Sequence, residues 1–168
     1  MTKNRIGLVL AGALSALALL VGCAEQVEGT AVPAADAVES FEDPTELILH
    51  AMETMFEWRP LSDASTADAF ARATPYLAAD LAAQTRSRPD EGGAQWQKWA
   101  AAGATAQVEA VIASDEHPPD TDASVKRVVL IAVTIVTPDG RPLDTFDFTA
   151  WVSAGKTSQG WRVDEIEV

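Results

Sequence analysis

The hydrophobic period of this chain changes once, at Gly103, and that change narrows the available folds more than any other feature. Before it, apolar residues recur at helical spacing. Asp43-Pro44-Thr45-Glu46 is a helix start, with Asp43 as N-cap, Pro44 in the first helical position and Glu46 three residues after the cap. Leu47, Ile48, Ala51, Met52, Met55, Phe56 and Trp58 then form one broad apolar face until Arg59-Pro60 stops the helix. Ser65 and Asp68 make a second capping pair before Phe70, and Thr74-Pro75 opens a third helical piece carrying Tyr76, Leu77 and Leu81. A polar stretch from Thr85 to Gly93 precedes a last short helix that holds Trp96 and Trp99 on one face.

After Gly103 the period is two. Ala104, Ala106, Val108, Ala110 and Ile112 alternate with Thr105, Gln107 and Glu109, as in a half-buried strand. Following a polar loop at 114–123, Val125 to Val136 is rich in β-branched residues on both faces, the pattern of a long central strand. Thr137-Pro138-Asp139-Gly140 is hairpin chemistry, because proline sets φ and glycine supplies the left-handed position. The next strand puts Phe146, Phe148, Ala150 and Val152 on one face and Thr145, Asp147, Thr149 and Trp151 on the other. A turn over 155–160 leads into Trp161-Arg162-Val163-Asp164-Glu165-Ile166. Helices first and an antiparallel meander afterwards predict an α+β fold, with N-terminal helices packed on one face of a curved, cone-like sheet.

The only cysteine stands ahead of all of this. Lys3 and Arg5, an apolar run from Ile6 to Val21 and a small-residue cut site compose a secretory leader. Leu20-Val21-Gly22-Cys23 resembles the lipobox of bacterial lipoproteins at all four positions. That resemblance implies a signal peptide over 1–22, recognition by the lipoprotein signal peptidase at Leu20, Val21 and Gly22, and a mature chain that begins with lipid-modified Cys23. Two acyl chains are enough for stable anchoring, at ~0.8 kcal/mol per buried methylene. A retained membrane helix is the competing reading, but the run is shorter than the ~20 residues that span a hydrocarbon core and is weakened by Gly7 and Gly12. With no second cysteine, an internal disulfide is excluded.

Residues 23–42 carry acids, small residues and one proline without an apolar period, and read as a lipidated tether spanning on the order of 25 Å. Residues 43–168 read as a single extracytoplasmic domain. The whole chain has a formal charge of −13; the leader holds two of the 12 basic residues and none of the 25 acidic ones, which leaves −15 on the mature chain. Such a surface repels nucleic acid and anionic head groups, so the acyl chains on Cys23 are the expected membrane contact and nucleic acid is not an expected partner.

From Asp43 to Val168 the order of elements resembles the nuclear transport factor two-like superfamily, and Gly160-Trp161-Arg162-Val163 is similar to the last strand of its exported members. Among those, it looks most like actinobacterial envelope proteins associated with lipid import and the assembly subunit of type IV secretion machines. The resemblance implies a cell-membrane, lipid-anchored protein in an envelope complex. Some relatives of that kind are isomerases or dehydratases, with a carboxylate facing a tyrosine or acid in an apolar pocket. Tyr76, Asp80 and Asp147 are the residues to weigh for that role, and none matches a catalytic place of the family.

His50 lies within the first helix without an Asp, Ser or Cys at an orienting distance in sequence. His117 precedes Pro118-Pro119 in a loop with Asp115, Glu116, Asp120 and Asp122, whose spacing fits no EF-hand. No zinc motif, phosphate loop, Ser-His-Asp arrangement or dinucleotide fingerprint is present, so no cofactor, metal or catalytic residue is assigned. Trp96, Trp99, Trp151 and Trp161 either pack the core or rim a cavity for a small apolar ligand. The expected function is a non-catalytic binding or assembly module, with an apolar-ligand carrier and an isomerase-like enzyme as alternatives.

Overall fold

The computed structural model describes residues 40–86, 92–113 and 117–168, all within the unit Ala37–Val168. Cys23, its lipobox and the tether up to residue 39 lie outside the described residues. Helix α1, Pro44–Phe56, starts as its sequence dictates: the Asp43 carboxylate accepts a bond from the Thr45 amide at 2.7 Å, and Pro44 takes the first turn, where no donor is needed. Its apolar stripe, Leu47, Ile48, Ala51, Met52, Met55 and Phe56, is buried. Each fully buried Leu, Ile or Met contributes roughly 1.5–3 kcal/mol.

After α1 the chain turns inward at Trp58 and is clamped by an arginine from the next helix, α2, Thr66–Ala73. Arg72 donates to the Asp63 carboxylate at 2.8 Å and to the Glu57 carbonyl at 2.5 Å. Ser65 and Asp68 form the reciprocal capping box expected of them.

The third helical piece departs from expectation. Thr74–Tyr76 is a single 3₁₀ turn, Leu77 then becomes extended and forms a parallel bridge with Val163, and α3, Ala79–Arg86, begins only afterwards. The Ala78 amide donates to the Val163 carbonyl at 2.7 Å, so the final strand's edge captures this backbone and buries Leu77. A tertiary bond thus competes successfully with helix propagation.

Helix α4, Ala94–Ala101, ends in a Schellman turn: Ala104 N donates to the Trp99 carbonyl and Gly103 N to the Ala100 carbonyl, both at 3.0 Å. Gly103 has φ 61°, the left-handed value this cap requires. At Gly92 a side chain is excluded for another reason, since a Cβ there would lie 2.6 Å from the Ala64 carbonyl oxygen.

Strands β1, Thr105–Ile112, β2, Ser124–Val136, β3, Pro142–Thr157, and β4, Gly160–Glu167, form one open antiparallel sheet in that order. The helices pack on one face, which is the α+β arrangement expected. That covered face carries Val125, Val129, Ile131, Val133 and Ile135 of β2, with Ala150, Val152 and Ala154 of β3. Gly140 (φ 81°) and Gly160 (φ 95°) close the two hairpins. Register shifts mark irregularities at Ile135/Val136, at one end of the β2–β3 pairing, and at Ser153/Ala154, in the middle of the β3–β4 pairing. β2 is interior to the sheet, but among the described residues its second apolar face, Val128, Leu130 and Ala132, has no layer over it, and Leu130 is 44% exposed.

Candidate functional site

The uncovered face of the sheet is the candidate site, and strand register assembles it. Val111 of β1 stands opposite Leu130 of β2, Val128 of β2 opposite Trp151 of β3, and Trp151 opposite Glu167 of β4. Val111, Leu130 and Trp151 are 45%, 44% and 55% exposed. Val111 faces Leu130 directly and Trp151 lies on the diagonal from Leu130, beside Val128, so large apolar residues of three neighbouring strands make a patch, whereas a scattered exposed leucine needs no explanation. A groove of about 310 Å³ opens on this side, lined among others by His117, Pro118, Lys126, Val128, Trp151 and Glu165.

Acids surround that apolar centre. Lys126 pairs with Glu165 at 3.7 Å. Arg127 is held by Asp120 through two bonds of 2.7 Å, which raise the guanidinium pKa and lower that of the carboxyl through their direct hydrogen bond. Glu109, Asp147 and Glu167 have no ion-pair partner among the described residues. The loop after β1 is therefore not a loose acidic cluster: Asp120 ties it to β2 and His117 Nδ1 lies 3.8 Å from the same carboxylate, while Asp122 is exposed and Asp115 and Glu116 lie outside the described residues. Among the described residues no group of three or more His, Cys, Asp or Glu is arranged to hold a metal ion.

The covered side is filled by rings. Trp58 stacks on Trp99 with centroids 6.1 Å apart and planes 15° from parallel, and Phe146 meets both edge-on. Trp96, Phe56 and Phe148 extend the cluster. Asp144, which no sequence pattern singles out, orients it by accepting bonds from Trp99 Nε1 at 2.6 Å and Gln95 Nε2 at 2.8 Å. Trp96 Nε1 donates to the Asp63 carbonyl, whereas the buried Trp58 Nε1 has no partner among the described residues.

The four tryptophans considered as cavity lining consequently do not converge. Trp96 and Trp99 are core, Trp161 is half-buried with Lys156 Nζ 5.7 Å from its ring centroid, and Trp151 lies on the opposite face. Comparison with family models, with curated proteins and with solved structures finds no match for this chain, so the site rests on its own geometry.

Of the acid–base candidates, the fold brings only His50 and Tyr76 together. His50 packs between Phe41 and Tyr76, with centroids 5.1 and 4.6 Å away. Asp80 is exposed in the first turn of α3, and Asp147 is exposed on the outer face. A second groove, about 350 Å³, runs between α1 and β1 past His50, Glu53, Thr54, Glu57 and Val108; the Thr54 hydroxyl donates to the His50 carbonyl at 2.8 Å, and among the described residues no carboxylate is bonded to the imidazole. No helix among the described residues is long and apolar enough to cross a membrane. Sequence alternation places Trp151 on its correct face; what it lacks is any signal that this face stays uncovered.

Proposed function

We propose that this chain is a lipid-anchored, extracytoplasmic cell-envelope protein whose domain is a non-catalytic binding or assembly module, docking a partner on the open face of its sheet. The observation that carries the reading is the in-register patch of Val111, Leu130, Val128 and Trp151, left bare while aromatic rings fill the other side. Contiguous exposed apolar surface is unfavourable in isolation and marks interaction sites. The lipobox at Leu20–Cys23 supplies the anchor, and the helices-then-meander order is what the resemblance to the nuclear transport factor two-like superfamily rests on. Anchoring raises the effective concentration of such a module at a membrane machine.

An enclosed apolar cavity would favour the carrier, and a pocket around an isolated carboxylate the enzyme; the ring-filled core, and a His50–Tyr76 ring contact with no carboxylate bonded to either among the described residues, favour docking. Complementation of a deletion strain at matched protein levels tests this. Cys23→Ala should release the protein from salt-washed membranes and impair function, and Trp151→Ala should impair function without releasing it. His50→Gln and Asp80→Asn should both complement, because a true acid or base is worth ~10²- to 10⁴-fold in rate. Loss of function in either of these two, with the protein folded and anchored, would replace docking with chemistry at that residue.

A further inference from the structure

Trp151 stands between two cross-strand neighbours of opposite character, Val128 on one side and Glu167 on the other. Among the described residues no ring or cation stacks on its indole, and no cation pairs with Glu167. The cations that register places on this face are already engaged: Lys126 with Glu165, and Arg162, opposite Gly155, with the Trp161 carbonyl, whereas Arg127 stands opposite Val152 on the covered side. Glu109 and Asp147 add two more unpaired carboxylates to the same face.

An exposed indole beside a free carboxylate is complementary to a side chain with an apolar stem and a cationic head, which lies on the ring's negative face and reaches the acid with its donors. We propose that this face docks an arginine- or lysine-bearing segment of another envelope protein, its cationic side chain across Trp151 with the head at Glu167, and an aliphatic neighbour over Val128 and Leu130. This rests on the docking role proposed above and specifies the partner's chemistry.

Charge decides among occupants. A second copy would bring the same acidic rim, on a chain of formal charge −13, against itself. The chain's own segment 24–39 carries Glu25, Glu28, Asp36 and Glu39 with no Lys or Arg, so it too is repelled. A basic segment alone gains from both the apolar centre and the rim.

The test uses the full chain in detergent and two blocked pentapeptides, one alternating leucine with arginine and one alternating leucine with glutamate, with binding read from the tryptophan indole signals by NMR. The arginine peptide should bind and shift the Trp151 indole, and its affinity should fall severalfold between low and high salt. Trp151→Ala should weaken it about tenfold and Glu167→Gln about fivefold, while Trp151→Phe, which keeps a ring, should lose less. Trp151 is exposed, so these variants should fold; should Trp151→Ala fail to, Trp151→Phe and Glu167→Gln carry the comparison.

Equal binding of the glutamate peptide, indifference to both Trp151→Ala and Glu167→Gln, or a Trp151-dependent dimer in sedimentation would overturn the proposal. If the arginine peptide does not bind while Trp151→Ala still abolishes complementation, the docking face survives and the basic partner does not. If Trp151→Ala complements fully, both fall.

Discussion

The two faces of the sheet are built from strands of similar composition, and the described residues cover only one of them. On β2 the covered face shows Val129, Ile131, Val133 and Ile135, and the bare face Val128, Leu130, Ala132 and Thr134. Strand hydropathy alone does not choose between them. What chooses is α1, whose single apolar stripe spans one face of all four strands, and the aromatic rings that fill the space beneath it. Apolar character on the covered face stabilises the fold, whereas on the bare face it contributes little until something binds.

The sharpest way to break this contrast is one substitution at two adjacent positions. Ile131→Thr, 2% exposed, loses buried apolar surface and places a hydroxyl in the core, and should cost on the order of 2–4 kcal/mol in urea unfolding. Leu130→Thr, on the bare face, should cost about 0.5 kcal/mol or less, since threonine suits a strand. Equal losses would mean that the outer face is part of the core.

A smaller effect sharpens the picture of the covered side. Trp99→Phe removes a bond to the Asp144 carboxylate, whereas Trp58→Phe removes a donor that has no partner. The first should cost about 1.5 kcal/mol more than the second, measured at constant m value. A reversed order would show that the Trp58 indole has a polar role.

The smallest effect belongs to the loop before β2, which Asp120 ties to Arg127. Arg127 holds the Asp120 pKa below its ordinary value of 3.8, so the folded state favours the charged carboxylate. The resulting stabilisation is complete at neutral pH and fades as the pH falls through 3.8 and then through the lower folded-state value. Asp120→Asn should therefore lower Tm slightly at pH 7 and leave it unchanged in strong acid, where wild type has lost the same contribution. A larger deficit in acid than at pH 7 would reverse the assigned sign.

Much of the fold is legible from local pattern. The Asp43 cap, the Ser65–Asp68 box, the stripe of α1 and the alternation of β1 and β3 all appear as read, because each depends on neighbours within a turn or a pleat. The third helical piece does not, because Leu77 answers to Val163, 86 residues later in the chain. Asp144 was invisible for the same reason: its meaning comes from Trp99 and Gln95, on another element.

The tryptophans show where the division lies. Their positions on helix faces and strand faces follow from spacing, yet spacing could not say that Trp58, Trp96 and Trp99 would fill the space between layers while Trp151 stayed outside. By itself the sequence determined the helix-then-strand order, the caps and turns, the side to which each strand residue points and the acidic charge, all properties of short stretches or of simple sums. Only the tertiary structure decided which face α1 would cover, and therefore which apolar residues became core and which became surface. A strand's two faces are equivalent to its own backbone, and only packing against another element makes them differ.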